Sequence, residues 1–307
     1  MWWQLPLCAF IAVVPAAVAV TVIYRTGKRP PRVVELWTPS WRKISPFWLL
    51  GYRGLVFLVM SWLLIQTVLI DGAFAFFFYT QWTFTLVIIY FMIGTVISAH
   101  GCWIYSRTPI TESEEANGFL KGDLVNINAL NLTLRADKDR EDTRLPNRRE
   151  GQLHEKRAGF WGYVMQIIYQ ISAGAVILTD VVFWGLLLPF MSDENLRLDL
   201  VMICMHSLNA VFLLIDTAFN RLPFPWFGMA YFVIWSCIYL TFQWVLHACG
   251  LTWWPYPFME LSTPWAPLWY LAIALVHIPC FGVYYLIAKG KDSFFSKLLP
   301  NSYIKSY

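Results

Sequence analysis

The chain has 307 residues, of which 58% are hydrophobic and 14% are charged, and its mean hydropathy is +0.52. Soluble domains average about 45–50% apolar and about 25% charged residues, so this composition excludes an ordinary soluble protein. The formal net charge of +4 is modest and its sign indicates little about partners. We expect no nucleic-acid partner.

Seven apolar stretches are each long enough to cross a bilayer, which takes about 17–25 residues. Inside lipid, every backbone N–H and C=O must be satisfied within the protein, so these stretches must be helices. The short alternating segments typical of membrane β-strands do not occur. In chain order, the predicted spans are residues 5–24, 47–70, 79–104, 162–189, 199–219, 226–248 and 267–288. The sequence therefore predicts an all-α, polytopic transmembrane helix bundle.

These spans form one predicted membrane domain that a long loop interrupts. Residues 1–104 carry spans one to three, and residues 162–307 carry spans four to seven and a short tail. The intervening segment 105–161 is rich in charged residues and asparagine, a composition typical of partial disorder. We interpret it as a mobile cytosolic loop. The alternative is a regulatory loop that docks a cytosolic partner.

The charges of the connections predict the orientation of the bundle. The connection between spans one and two, the 105–161 loop and the tail after span seven are all basic. The opposite connections carry Asp71, Asp193, Glu194 and Glu260, with Arg197 as an isolated basic residue. By the positive-inside rule, the N-terminus lies outside or in the lumen and the C-terminus lies in the cytoplasm. Span one is predicted to be an uncleaved anchor, because its basic cluster follows the apolar run.

Ionisable residues inside spans are rare and are candidates for function. Depth along each helix, at about 1.5 Å per residue, sorts them into two layers. The outer half of the bilayer is predicted to hold Asp180, His206, His277, Thr80, Thr83 and Thr85. The inner half holds Arg53 and Asp216, which we predict to form a buried ion pair with a structural role.

His206 belongs to a polar stripe on span five and is predicted to face the interior of the bundle. The stripe, with alternating steps of three and four, comprises Asp199, Met202, His206, Asn209, Leu213 and Asp216. As a general base, His206 would activate the hydroxyl of Thr83 or Thr85, with Asp180 or Asn209 orienting the imidazole. The alternative is a histidine that packs between helices, with threonines that bond to their own helices.

The sequence contains no established cofactor or metal motif. It has no G-x-S-x-G elbow, H-E-x-x-H helix, phosphate-binding loop or dinucleotide fingerprint. A haem held between His206 and His277 has only their shared depth in its favour, and we predict neither a cofactor nor a metal. Most of the six cysteines lie in apolar stretches and are predicted to be buried thiols. The alternative for Cys8 and Cys249 is a disulfide between them.

Several short elements resemble the androgen-induced protein family and the related rolling stone proteins, and are most similar to plant members. The resemblance covers roughly spans two to seven, whereas span one and the 105–161 loop are additional. The elements that carry it are Phe183-Trp184, Met205-His206-Ser207, Trp244-Val245-Leu246-His247 and Tyr256-Pro257-Phe258-Met259-Glu260. The strongest part of the match is the Trp-Val-x-His element followed by the Tyr-Pro-Phe element.

The resemblance implies a threonine hydrolase that cleaves fatty acid esters of hydroxy fatty acids. His206 matches the family's base, and the family's nucleophile falls within Trp82-Thr83-Phe84-Thr85. The Thr-Phe dipeptide favours Thr83, while the distance from the tryptophan favours Thr85 or Leu86. His247 and Glu260 lie at the same interface, where they either shape the mouth of the site or cap helix ends.

Two functional hypotheses follow for the whole chain. The first is a lipid-ester hydrolase or acyltransferase that acts on a fatty-acyl ester among the membrane lipids, at the outer or luminal leaflet of the endoplasmic reticulum or plasma membrane. The second is a non-enzymatic membrane protein of signalling, fusion or scaffolding type, as the resemblance to rolling stone implies no reaction. Loss of activity on threonine substitution would separate them.

Overall fold

The structure is a computed structural model that describes residues 3–27, 29–107, 156–190 and 200–306. Most of the predicted cytosolic loop, at 108–155, lies outside the described residues, and so do Asp193, Glu194, Arg197 and Asp199. Within the described ranges the chain is helical, with two isolated β-bridges and no strand. The prediction of an all-α protein is confirmed.

Seven helices in the described ranges are long and apolar enough to cross a membrane. They are Gln4–Thr26, Pro46–Phe77, Tyr79–Arg107, Phe160–Leu187, Val201–Phe219, Trp226–Ala248 and Ala266–Leu298, hereafter spans one to seven. The predicted spans match these helices one for one. The largest difference is in span seven, which continues to Leu298 because the polar segment after the apolar run stays helical.

Local signals explain where span two begins and where its α-helical part ends. Span two starts at Pro46, which needs no N–H at that position, and the Ser45 hydroxyl accepts a hydrogen bond from the Phe47 N–H. Its α-helical part ends at Asp71, where Gly72 takes a φ of 63° that favours glycine. A 3₁₀ segment, Gly72–Phe77, then continues the span.

Spans three and four form the centre of the bundle, and span one lies at its edge. Spans three and four are the most buried of the seven, and span one is the least buried. Span one packs against spans six and seven, while span three packs against spans two and four. Outward-facing apolar side chains such as Leu55, Leu58 and Leu69 remain exposed, as expected of surfaces that contact lipid.

We call the end of the bundle that carries the basic residues the basic side. Here the connection after span one meets the segment after span seven, since the Ser40 carbonyl accepts from the Ile304 N–H at 2.7 Å. The Tyr303 ring packs against Trp41, and its hydroxyl donates to Asp292. Burial raises the pKa of the Tyr303 phenol, so it stays a donor at neutral pH.

The predicted ion pair lies towards the basic side and is confirmed. Arg53 donates from Nε to Asp216 Oδ1 at 2.9 Å, and both side chains are fully buried. The second carboxylate oxygen accepts from the Asn220 amide at 2.7 Å and from the Tyr90 hydroxyl. Arg53 also donates to the Leu36 carbonyl and to Ser98. Tyr90 and Ser98 belong to span three and Asp216 to span five, so the network ties spans two, three and five together.

We call the opposite end of the bundle the cavity side, because an internal cavity lies towards it. It comprises residues 72–78 and the 249–265 loop, which meet where Phe74 packs against Trp253 at 5.0 Å between ring centroids. Tyr239 and Gln243 of span six both donate to the Phe77 carbonyl. These bonds hold the ends of spans two and six beside the start of span three.

Candidate functional site

A cavity of about 160 Å³ lies between the spans in the half of the bundle towards the cavity side. Its walls are mainly apolar; most of the apolar side chains come from spans one, four, six and seven, while spans three and five and the 249–265 loop complete the lining. The apolar residues that line it include Ile11, Pro15, Leu178, Val182, Leu187, Val233, Leu240, Ile273 and Ala274. A concave apolar pocket with a few polar groups is the usual form of a small-molecule site, here one suited to a hydrocarbon chain.

In the described part of the chain, the polar side chains of this cavity are mainly hydroxyls and imidazoles, and none is a carboxylate. They are Tyr79, Thr80, Thr179, His206, Ser236, Tyr239, Tyr256, Tyr270 and His277. Tyr256 lies in the loop at the cavity side, and its oxygen accepts a hydrogen bond from the Tyr79 N–H at 3.1 Å. Burial raises the pKa of the Tyr256 phenol, so this side chain is uncharged at neutral pH.

Two local irregularities shape the cavity wall beside His206. Span four changes from α-helix to a π-helical turn at Phe183–Leu187, and span five is broken at His206 and Ser207. The break frees the His206 carbonyl, which accepts from Trp184 Nε1 at 3.1 Å. The irregular backbone thereby keeps a hydrogen-bond partner, as a membrane interior requires. The break interrupts the predicted stripe on span five, yet His206 lines the internal cavity and Asn209, Leu213 and Asp216 are buried.

His206 lines the cavity, where its ring stacks on Phe183. The ring centroids are 3.6 Å apart and the planes are nearly parallel. Its Nδ1 is buried and has no hydrogen-bond partner among the described residues. An imidazole with a free nitrogen at a cavity wall is suited to bind or deprotonate a ligand hydroxyl.

Thr83 and Thr85 do not line the cavity with His206. Both hydroxyls are buried, and neither has a hydrogen-bond partner in the described part of the chain. Thr80, one turn earlier on span three, does line the cavity. The structure thus brings His206 to the cavity but joins it by no hydrogen bond to either predicted threonine.

The predicted supporting residues fall in different places. Asp180 and Asn209 are neighbours, yet the Asn209 Oδ1 accepts from the backbone N–H of Ala210 at 2.6 Å. The Asp180 Oδ1 is buried and has no hydrogen-bond partner among the described residues. Neither side chain lines the cavity, and no hydrogen bond connects them to His206 in the described ranges.

His247 and Glu260 lie outside the cavity walls. His247 stacks on Trp254 with 3.5 Å between ring centroids, next to the end of span six. Glu260 accepts a hydrogen bond from Ser262 within the loop that leads to span seven. Their neighbours in the Tyr256–Met259 segment do line the cavity, so this loop closes its end.

His277 is the predicted site residue whose two ring nitrogens both have hydrogen-bond partners. Its Nδ1 lies 2.7 Å from the Ile273 carbonyl, and its Nε2 lies 2.8 Å from the Ser236 Oγ. The Ser236 Oγ is also 2.8 Å from the Tyr79 hydroxyl. Sequence reasoning missed Ser236, because a single serine in an apolar helix carries no signal until its partner on another helix is known.

The structure offers no metal site among the residues that it describes. No group of three or more histidine, cysteine, aspartate or glutamate side chains is arranged to hold a metal ion there. Both ring nitrogens of His277 are engaged in hydrogen bonds, so neither is free to serve as an axial haem ligand. All six cysteines are free; Cys8 is buried and Cys249 is exposed.

Fold and cavity together define the class of this chain, an all-α multi-pass membrane protein with an apolar pocket inside the bundle. Comparisons with family models, curated proteins and solved structures found no match to this chain. The resemblance to androgen-induced and rolling stone proteins therefore rests on the short motifs alone and remains a prediction.

Proposed function

We propose that this membrane protein takes the acyl chain of a lipid ester into its cavity and hydrolyses the ester there. The observation that carries the proposal is an apolar cavity between the membrane-spanning helices, whose wall includes two imidazoles. The apolar walls suit a hydrocarbon chain, and an imidazole is the side chain most often used to move a proton during acyl transfer. Among the described residues, no charged side chain lines the cavity.

The basic side would face the cytoplasm in this proposal, by the positive-inside rule. The cavity then lies in the outer or luminal leaflet of the endoplasmic reticulum or plasma membrane. A lipid in that leaflet would enter with its acyl chain between the apolar walls and its ester near the polar side chains of the cavity. Water would reach the ester from the end of the cavity that the Tyr256–Met259 loop closes.

The resemblance to threonine hydrolases would make His206 the base and a threonine of span three the nucleophile. The position of His206 on the wall supports this assignment, and Thr80 supplies a hydroxyl at the same cavity. A second function, lipid binding without chemistry, is favoured by a different observation. The Thr83 and Thr85 hydroxyls lie away from the cavity and make no bond to His206.

Crosslinking of a photoreactive fatty acid to the purified protein in lipid nanodiscs tests binding. We expect crosslinks in spans six and seven of the wild type. Ala274→Phe, which fills the cavity, should reduce them at least about tenfold, equal to about 1.4 kcal/mol of binding free energy. Leu275→Phe is the matched control, because Leu275 is 54% exposed on the outer surface of the same helix.

Hydrolysis of a fluorogenic long-chain ester by the same preparations tests the reaction. Activity that Ala274→Phe abolishes and Leu275→Phe retains would support the hydrolase. Crosslinking without hydrolysis would favour the lipid-binding alternative. Equal crosslinking of both variants would contradict the cavity as the binding site.

A further inference from the structure

We propose that Ser236 is the nucleophile that accepts the acyl group, and that His277 is its general base. This assignment rests on the proposed function and deepens it. It places the reaction between spans six and seven instead of between spans three and five. The substrate class is an ester whose acyl chain is long and apolar, because apolar side chains dominate the surrounding walls.

The hydrogen bonds of His277 define its tautomer. A backbone carbonyl only accepts, so the 2.7 Å contact with Ile273 requires a proton on Nδ1. In the neutral ring Nε2 is then an acceptor, and the Ser236 hydroxyl donates to it at 2.8 Å. A nucleophile bonded to a base that a third group orients is the arrangement of serine hydrolases, here with a carbonyl as the third group.

Tyr79 approaches the same serine oxygen from span three. Since the Ser236 proton is directed at His277, the Tyr79 hydroxyl is the donor in their 2.8 Å contact. The Ser236 oxygen is thus held by two partners from two other spans. The His277 ring is fixed further by stacking on Phe232, with 4.6 Å between centroids.

Ser236 differs from other hydroxyls of the spans. Thr95 and Thr241 donate to the carbonyl four residues earlier on their own helices, which is the usual bond of a helical hydroxyl. Thr217 bonds to two tyrosines at buried positions that do not line the cavity. Ser236 instead bonds to a base and a phenol that both line the cavity, as Ser236 does itself.

The reaction balances with water as the only co-reactant. The Ser236 oxygen attacks the ester carbonyl while its proton passes to His277 Nε2, which leaves a tetrahedral intermediate. The intermediate expels the alcohol, which takes the proton back from Nε2, and an acyl-serine remains. Water then attacks the acyl-serine, again giving its proton to Nε2. Ser236 leaves with that proton, and a fatty acid is released.

A fluorophosphonate probe with an alkyl chain tests the assignment on the full-length protein in membranes. The probe phosphorylates an activated serine and releases fluoride, and peptide mass spectrometry then locates the adduct. We expect labelling of Ser236 in the wild type and none in Ser236→Ala. His277→Gln should slow labelling at least about a hundredfold, as expected for loss of a general base.

Controls keep the result interpretable. Ser172→Ala removes a buried serine of span four that does not line the cavity, and it should label at the wild-type rate. Thermal unfolding in detergent must show that each variant is folded. His206→Ala and Thr80→Ala test the competing assignment, and loss of labelling in either one with retention in folded Ser236→Ala overturns ours.

The outcomes separate this inference from the proposed function. No adduct on Ser236 of folded wild type overturns the inference, whereas the fatty-acid crosslinking and ester hydrolysis of the wild type still decide the proposed function. An adduct on Ser236 together with His277 dependence supports the inference. If His277→Gln labels as fast as wild type, His277 is not the base and the pair is structural.

Discussion

At the scale of single residues, Arg53 is a fully buried side chain that several hydrogen bonds hold in place. Its guanidinium is fully buried and donates to Asp216, to Ser98 and to the Leu36 carbonyl. A buried charge is strongly unfavourable without such partners, so the arginine and the groups that accept from it depend on one another. Neither Arg53 nor Asp216 lines the cavity, which fits a role in stability.

Removing one member of this pair should destabilise the protein strongly. Arg53→Met leaves the Asp216 carboxylate buried without its counter-charge, and we expect a loss of about 3–5 kcal/mol of unfolding free energy. Thermal and denaturant unfolding in detergent would measure it, with the exposed Arg42→Met as control. In Arg53→Met/Asp216→Leu the losses should be less than additive. Additive losses would show that the two charges are not coupled.

The different needs of a charged and a hydroxyl side chain explain why the sequence predicted the partner of Arg53 but not the role of Ser236. An arginine in an apolar helix requires a partner of opposite charge, and Asp216 was the acidic residue predicted at its depth. A serine satisfies itself by bonding to its own helix, so its presence in a span predicts nothing. Only the neighbouring helix reveals that Ser236 meets His277 and Tyr79.

At the scale of helices, the close contact of spans four and six supports the site. Gly174 of span four packs directly on the Phe232 ring, where an added Cβ would lie 2.5 Å from Cδ1. Phe232 is fully buried and stacks on His277, so it has little room to move. A small residue at this position lets the two helices approach closely, as is common in membrane bundles.

Gly174→Ala should therefore disturb both packing and site. We expect a loss of about 1–3 kcal/mol of unfolding free energy from overpacking, together with altered reactivity of Ser236. Gly51→Ala is the matched control, because nothing lies within 4 Å of its added Cβ. That change should stabilise the helix by about 0.5–1 kcal/mol. Equal effects at both glycines would contradict the close packing at Gly174.

Irregular segments of spans four and five show what helix prediction from hydropathy misses. The apolar run identifies each span, but it carries no sign of the π-helical turn at Phe183–Leu187 or of the break at His206 and Ser207. These features depend on partners such as Trp184, whose indole satisfies the freed His206 carbonyl. They occur beside the cavity, where regular helices would place His206 differently.

At the scale of the whole molecule, the distribution of basic residues separates two sides of the bundle. The described basic residues at one side include Arg25, Arg107, Arg157 and Lys289, while the cavity and Cys249 lie towards the other. The positive-inside rule predicts that the basic side faces the cytoplasm. The accessibility of cysteines tests this orientation.

We expect Cys249 to be protected in sealed endoplasmic-reticulum microsomes, whose cytosolic surface faces outward. It is exposed in the structure, so a membrane-impermeant maleimide should modify it only after detergent is added. In a Cys249→Ser background, Lys43→Cys on the basic side should react before detergent, since Lys43 is exposed. Mass shifts on gels measure both. The reverse pattern would place the N-terminus in the cytoplasm.

The sequence by itself determined the helices, their number and their approximate ends, together with the pairing of Arg53 and Asp216. In hydrocarbon, each spanning segment must satisfy its backbone hydrogen bonds within its own helix, and a buried charge is unfavourable without a partner. Both properties can therefore be predicted without knowing which helices are neighbours. Only the tertiary structure decided which hydroxyl meets which imidazole. That choice depends on the order and rotation of the helices, which close contacts such as Gly174 against Phe232 set. Depth alone placed His206 and the threonines in one layer, whereas packing brought Ser236 to His277.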